Sequence, residues 1–279
     1  VGFRLLAVLP LAWAAAFLAG DVALHGTPAY APFLRTEIEL AKVLTLVGSW
    51  AAAAAFARGD YQRRAWVLVG LCMAFLLLRD LTLAPAVAGT LREPDLSATR
   101  GVLVVVANVS QVVGTWMLAR TWKVAELALP GSRRGQLAVR AGTIALSLAV
   151  AGPAVVRDGS RVLDGQLAAL PGVASALGDV ISLCLIAPLL LTAVALRGGL
   201  FAWTWTLLSV SYLAWLLYDA FALLAAPAGF GAHVARTGGE LFRALGCLYG
   251  FSAGLAQRRT VQQLRGRGGR SRAPLAGAA

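Results

Sequence analysis

Charge is scarce in this chain. Only 14% of its 279 residues are Asp, Glu, Lys or Arg, against 59% hydrophobic residues and a mean hydropathy of +0.74, whereas a soluble domain carries about 25% charged residues. The longest polar loops are about a dozen residues, too short to bury a core of their own, which excludes a separate soluble catalytic domain. Lysine occurs only at Lys42 and Lys123. The last apolar run therefore has none, and a retinal Schiff base in a final helix of rhodopsin type is excluded. Two histidines, His25 and His233, argue against a bundle of bis-histidine haems. Cys72, Cys184 and Cys247 all fall inside apolar runs and read as small packing residues, not as a disulfide or metal set. There is no His-Glu-x-x-His, no Gly-x-Ser-x-Gly and no phosphate loop. Together these absences point to a chain without enzymatic machinery or cofactor.

What is present is hydrocarbon-compatible sequence. A bilayer core of about 30 Å needs about 20 apolar residues per helix, and eight such runs are legible, at 3–24, 36–57, 64–87, 100–121, 136–157, 174–196, 201–226 and 237–257. The expected fold class is all-α, a polytopic membrane helix bundle over residues 1–257. Residues 258–279 form an Arg/Gly-rich tail, expected to be disordered. Arg4, followed by small residues at Ala14 to Ala16, also fits a signal peptide. A retained helix is preferred, because the run continues to Leu24; cleavage would leave seven helices.

Lys and Arg are retained on the cytoplasmic side. With both termini inside, that side receives fifteen basic residues, including Arg58, Arg63, Arg64, Arg120, Lys123, Arg133, Arg134 and Arg197, and the other side six: Arg35, Arg92, Arg100, Arg157, Arg161 and Arg236. The expected location is a bacterial inner membrane with both termini cytoplasmic. Trp66, Trp122, Trp203 and Trp205 fall at the inner helix ends, where indoles anchor at headgroups. The tail supplies six arginines, half of the net charge of +12. It is expected to hold anionic lipid headgroups, not nucleic acid, since no stacking aromatic accompanies it.

Within the runs the few charges stand out. Glu39 and Lys42, three apart, can pair on one helical face. Arg79 and Asp80 point about 100° apart and are expected to seek partners on other helices. Asn108, Ser110 and Gln111 are placed to hydrogen-bond across the bundle. Gly152-Pro153 predicts a bend or unwinding point, and Pro188 a kink in mid-helix. Glu240 and Arg243 are again three apart. Gly246, Gly250 and Gly254 put a small residue at every fourth position, which lets a neighbouring helix approach closely.

Residues 58–80 recur at 197–219 with a constant offset of 139: Arg58-Gly59, Trp66 and Asp80 match Arg197-Gly198, Trp205 and Asp219. Arg120-Thr121 and Arg259-Thr260 keep the same offset. This predicts a parallel internal repeat of four helices each, over 1–123 and 136–262, related by an axis along the membrane normal.

Ionisable residues inside a membrane are costly and commonly functional. Asp80, Asp219, Asp179, Arg79, Glu240 and Arg243 are the candidate ligand or ion site, a polar pocket in the extracytoplasmic half; the bland alternative is a set of ion pairs fixing helix packing. Asp21, His25 and His233 are a candidate metal set, weighed against ordinary interfacial histidines. Leu177-Gly178-Asp179, the apolar run after it, Arg197-Gly198-Gly199 and a helix ending in Tyr218-Asp219 resemble the multi-helix membrane sensory regions of bacterial histidine kinases and diguanylate cyclases. That resemblance implies detection of an external or membrane signal and its relay through the last helix. An output domain after Arg272 is not expected, so a separate signalling partner is implied. The expected function is a non-enzymatic sensory or accessory module. The alternative is a small secondary transporter using Asp80 and Asp219 as proton or cation sites.

Overall fold

The computed structural model describes residues 2–83, 93–128, 130–225 and 229–270; Pro85, Arg92 and tail residues 271–279 lie outside them. The described residues form helices and no strand. In chain order these are α1 (Phe3–Leu24), α2 (Tyr30–Ala54), α3 (Tyr61–Leu81), α4 (Glu93–Ala119), the single turn α5 (Thr121–Val124), α6 (Arg133–Leu163), α7 (Leu170–Cys184), α8 (Ile186–Ala195), α9 (Phe201–Leu224) and α10 (Ala232–Arg270), with a 3₁₀ turn at Leu167–Ala169.

Local chemistry sets the ends. The Asp60 carboxylate caps α3, accepting from the Gln62 N–H at 2.8 Å, and the Ser132 hydroxyl caps α6, accepting from the Gly135 N–H at 3.2 Å. Four of the reversing turns rest on glycine in the left-handed region: Gly26 (φ 76°), Gly59 (91°), Gly165 (85°) and Gly198 (86°). A side chain there would crowd the following carbonyl. Gly26 and Gly165, like Gly59 and Gly198, are 139 residues apart.

Proline acts differently at two places. Pro188 has no N–H to return to the Cys184 carbonyl, and its ring would strike that oxygen. The run at 174–196 is accordingly not one kinked helix but two, α7 ending at Cys184 and α8 starting at Ile186. The bend expected at Gly152-Pro153 is not an unwinding point, because α6 continues through Pro153 to Leu163. The last helix also differs from expectation: α10 is 39 residues long and stays helical through Arg270. The boundary at 257 falls inside it.

Packing closes a ring. α2 lies against α3, α3 against α4, α4 against α7, α8 against α9, α9 against α10, and α10 back against α2, with α7 and α8 sharing one position. α1 sits outside the ring against α10 and α2, and α6 sits outside against α7, α8 and α9. The two outer helices turn few residues inward and expose side chains such as Leu5, Leu11, Leu137, Ile144 and Leu148. In water such a surface would drive aggregation. Among the described residues four stretches are long and apolar enough to cross a membrane: Phe3–Leu24, Leu96–Ala119, Arg133–Leu163 and Leu167–Ala195.

Two apolar clusters fill the ring. One surrounds Trp66, Trp205, Leu118, Leu183 and Leu189, and the other Ile38, Cys72, Ala107, Cys247 and Leu248. Trp66 and Trp205 are 1% and 3% exposed, so they are interior packing residues and not headgroup anchors; Trp122 and Trp203 keep partial exposure. α2 and α10 cross at Gly48 and Gly254. A Cβ on Gly48 would stand 2.7 Å from the Phe251 carbonyl oxygen, and one on Gly254 would overlap the Gly48 backbone. Hydroxyls pin α10 from both sides: Thr45 of α2 donates to the Cys247 carbonyl at 2.6 Å and Ser211 of α9 to the Gly246 carbonyl at 2.6 Å.

Candidate functional site

The α1–α2 turn, the end of α3, the start of α4, the end of α6, the start of α7, the end of α9 and the start of α10 gather at one end of the bundle, termed here the distal end. Arg35 of α2 donates to the Asp80 carbonyl of α3 at 3.1 Å, and Arg100 of α4 to the Thr82 carbonyl at 2.9 Å. Every ionisable residue of the candidate site belongs to the distal half.

Three polar assemblies are found there. The first joins α1, α2 and α10. Asp21 is 5% exposed and accepts hydrogen bonds from the Tyr30 hydroxyl at 2.7 Å and the Thr237 hydroxyl at 2.8 Å, while His233 Nε2 stands 3.3 Å from its other oxygen. Burial pushes the Tyr30 phenol above its ordinary range, which keeps it a donor to that carboxylate. His25 packs against His233 with ring centroids 3.8 Å apart. The candidate metal residues Asp21, His25 and His233 do come together, but no group of three ligands able to hold a metal exists among the described residues. The carboxylate is already occupied by hydroxyl donors, and the two imidazoles meet at a tilt of 50°.

The second assembly lines an open cleft of about 380 Å³ between α2, α3 and α10. Lys42, 2% exposed, is ion-paired with Asp80, and Arg79 donates through Nε to the other Asp80 oxygen at 2.8 Å. The expected Glu39–Lys42 pair does not form, since Glu39 pairs with Arg35 at 2.6 Å along the same helix. Arg79 and Asp80 pair with each other despite adjacency, because both side chains bend toward the cleft. Arg243 pairs with Glu240 at 3.2 Å, as their spacing predicts. Asp80 is thus a neutralised member of an ion-pair cluster.

The third assembly is a cavity of about 180 Å³ inside the ring, walled by α3, α4, α7, α9 and α10. Asp179 of α7 and Asp219 of α9 both face it. Among the described residues neither carboxylate has an ion pair or hydrogen bond. Arg79 and Arg243 form the wall shared with the outer cleft. Deeper in, Gln111 donates through Nε2 to the Tyr212 hydroxyl at 2.8 Å, and Thr115 bonds the same hydroxyl. The Gln111 Oε1 and Ser182 Oγ atoms have no partner. Buried polar atoms are nearly always satisfied, so these two atoms stand out on the cavity wall. Asn108 does not bridge the bundle as expected, but turns back to the Val104 carbonyl at 2.9 Å.

Of the candidate residues, Asp179, Asp219, Arg79 and Arg243 share the inner cavity, whereas Asp80 and Glu240 face the outer cleft. Gly246, Gly250 and Gly254 all serve contacts within the chain, toward Trp215, toward Thr45 with Ser211, and toward Gly48 respectively. Ser182, Tyr212 and Trp215 line the cavity and are additional to the sequence reading. Their signal lies in helical spacing: Ser182 is three residues after Asp179, and Tyr212, Trp215 and Asp219 share one face of α9.

The chain matches no protein-family model, no curated protein and no solved structure.

Proposed function

We propose that this protein is a multi-pass component of a bacterial inner membrane that binds a small solute from the extracytoplasmic side in the cavity between α3, α4, α7, α9 and α10 and acts as a non-enzymatic sensory or accessory module. The observation that carries this reading is the pair Asp179 and Asp219, two carboxylates inside a helix bundle with no neutralising neighbour among the described residues. An acid kept purely for packing is paired, as Asp80 is. An unpaired acid in a cavity is a site waiting for a counter-group.

In this reading the distal end is extracytoplasmic, following the fifteen-to-six distribution of basic residues, and all eight long runs span the membrane. A parallel four-plus-four repeat is supported by two features. Superimposing runs one to four on five to eight maps the ring order onto itself, and the left-handed glycines Gly26 and Gly59 map onto Gly165 and Gly198. Occupancy acts on α10, which contributes Arg243 to the cavity wall and continues to Arg270 on the other side, where its arginines meet anionic headgroups and a separate signalling partner. A solute shifts that helix only through unequal affinity for two packings.

The break between α7 and α8 favours a second reading, a secondary transporter, because interrupted helices beside a midplane site are the usual architecture of solute carriers. Its ion sites would be Asp179 and Asp219, with Asp80 already neutralised. Solute flux into proteoliposomes containing the purified chain separates the two. The sensory reading expects no flux that depends on Asp219, whereas flux abolished by Asp219→Asn and kept in Asp80→Asn would replace it with transport. Both readings require an accessible cavity. With Cys72, Cys184 and Cys247 replaced by serine, Ser175→Cys is expected to react with a membrane-impermeant thiol reagent added outside; no reaction from that side overturns both.

A further inference from the structure

We infer that the cavity between α3, α4, α7, α9 and α10 takes a small organic monocation of the ammonium class; this rests on the reading of that cavity as a solute site and specifies its ligand. Charge balance comes first. In the cavity and its shared wall, Lys42, Arg79 and Arg243 face Asp80, Asp179, Asp219 and Glu240. The ion-pair cluster consumes Asp80, and Glu240 consumes Arg243. Asp179 and Asp219 are then left facing the cavity with no cation paired to either; a positively charged occupant relieves their mutual repulsion.

The surroundings decide what carries that charge. Trp215 and Tyr218 meet edge to face at 81°, ring centroids 5.8 Å apart, and form an aromatic corner beside Asp219. Aromatic faces attract alkylammonium groups, whose methyl surface they also cover. No group of three His, Cys, Asp or Glu side chains able to hold a metal is found among the described residues. An independent observation points to the same place. Ser182 is 7% exposed, lines the cavity, and its hydroxyl has no partner; with Gln111 Oε1 it offers acceptors for ammonium N–H groups. The volume of about 180 Å³ suits a cation of a few heavy atoms.

The test is titration of the purified full chain in nanodiscs with methylammonium and tetramethylammonium chlorides, read by tryptophan fluorescence, with sodium chloride and uncharged acetamide as comparators. The expected result is a saturable change for at least one ammonium probe, absent with sodium and acetamide, and weakened at least tenfold in Asp219→Asn and in Asp179→Asn. Trp215→Phe should remove the fluorescence change while isothermal titration still detects binding. Each variant is first required to keep the parent melting midpoint, and Ser182→Ala provides a milder second variant expected to weaken methylammonium more than tetramethylammonium. No saturable ammonium binding, or binding unaffected by both aspartate substitutions, overturns the inference. If Ser175→Cys still reacts from outside, only the ligand class has failed; if it does not react, the solute site itself has failed.

Discussion

Asp80 and Asp219, 139 residues apart near the ends of α3 and α9, live under opposite electrostatic conditions. Asp80 is held by Lys42 and Arg79, whereas Asp219 faces a cavity. Removing one partner of a buried ion pair leaves the other charge uncompensated, at a cost of about 3–5 kcal/mol. Asp80→Leu leaves buried Lys42 without its counter-charge and is therefore expected to lower the thermal midpoint of the detergent-solubilised protein markedly; adding Lys42→Met is expected to recover most of the loss, since the half-buried Arg79 keeps access to solvent. Asp219→Asn has no protein contact to lose and relieves an unpaired buried charge, so its midpoint is expected to stay level or rise. A drop in Asp219→Asn as large as that in Asp80→Asn would assign Asp219 a purely structural role. At this scale the sequence is only partly legible. Spacing alone pairs Glu240 with Arg243, but it also pairs Lys42 with Glu39, and only the approach of α2 to α3 brings Asp80 to Lys42 instead.

At the scale of the helix, close approach is the controlling variable. Gly254 lets the α10 backbone touch the α2 backbone at Gly48, and neither backbone can give way. Gly254→Val is expected to separate the two helices and lower the thermal midpoint by an amount typical of core overpacking, about 1–3 kcal/mol or more. Gly142 of α6 is exposed, and a methyl group added to it would meet nothing within 4 Å. There the helix propensity of alanine wins, and Gly142→Ala is expected to raise stability by about 0.5–1 kcal/mol. Helix positions are largely legible in the sequence, because an apolar run in a chain this poor in charge has no alternative fold. α1 begins and ends where its run does. α2 begins earlier than its run, at Tyr30, because Arg35 and Glu39 satisfy each other along the helix and do not interrupt it. The split of α7 from α8 is foreshadowed by Pro188, although the same residue type at Pro153 leaves α6 intact. The inward turn of Trp66 and Trp205 is not legible, since position along a helix does not reveal which face the ring buries.

For the whole molecule, the distal and opposite ends of the ring make different demands on their surroundings. The proposed orientation puts Thr27, in the α1–α2 turn, outside and Gln263, near the end of α10, inside. In a background with the native cysteines replaced by serine, Thr27→Cys is expected to react with an impermeant maleimide in intact spheroplasts. Gln263→Cys is expected to react only after permeabilisation, and reaction of both from outside would mean that the bundle does not cross as assigned. α10 connects the two ends without interruption. Its 39 residues rise about 1.5 Å each, giving a rod of about 58 Å, nearly twice the hydrocarbon thickness. The Gly48–Gly254 crossing is where that rod leans directly on another backbone, so it is a natural fulcrum. From residue 254 to residue 270 is about 24 Å of lever arm. A tilt of about 5° at the fulcrum sweeps the far tip through about 2 Å, a displacement that a docked protein surface can read.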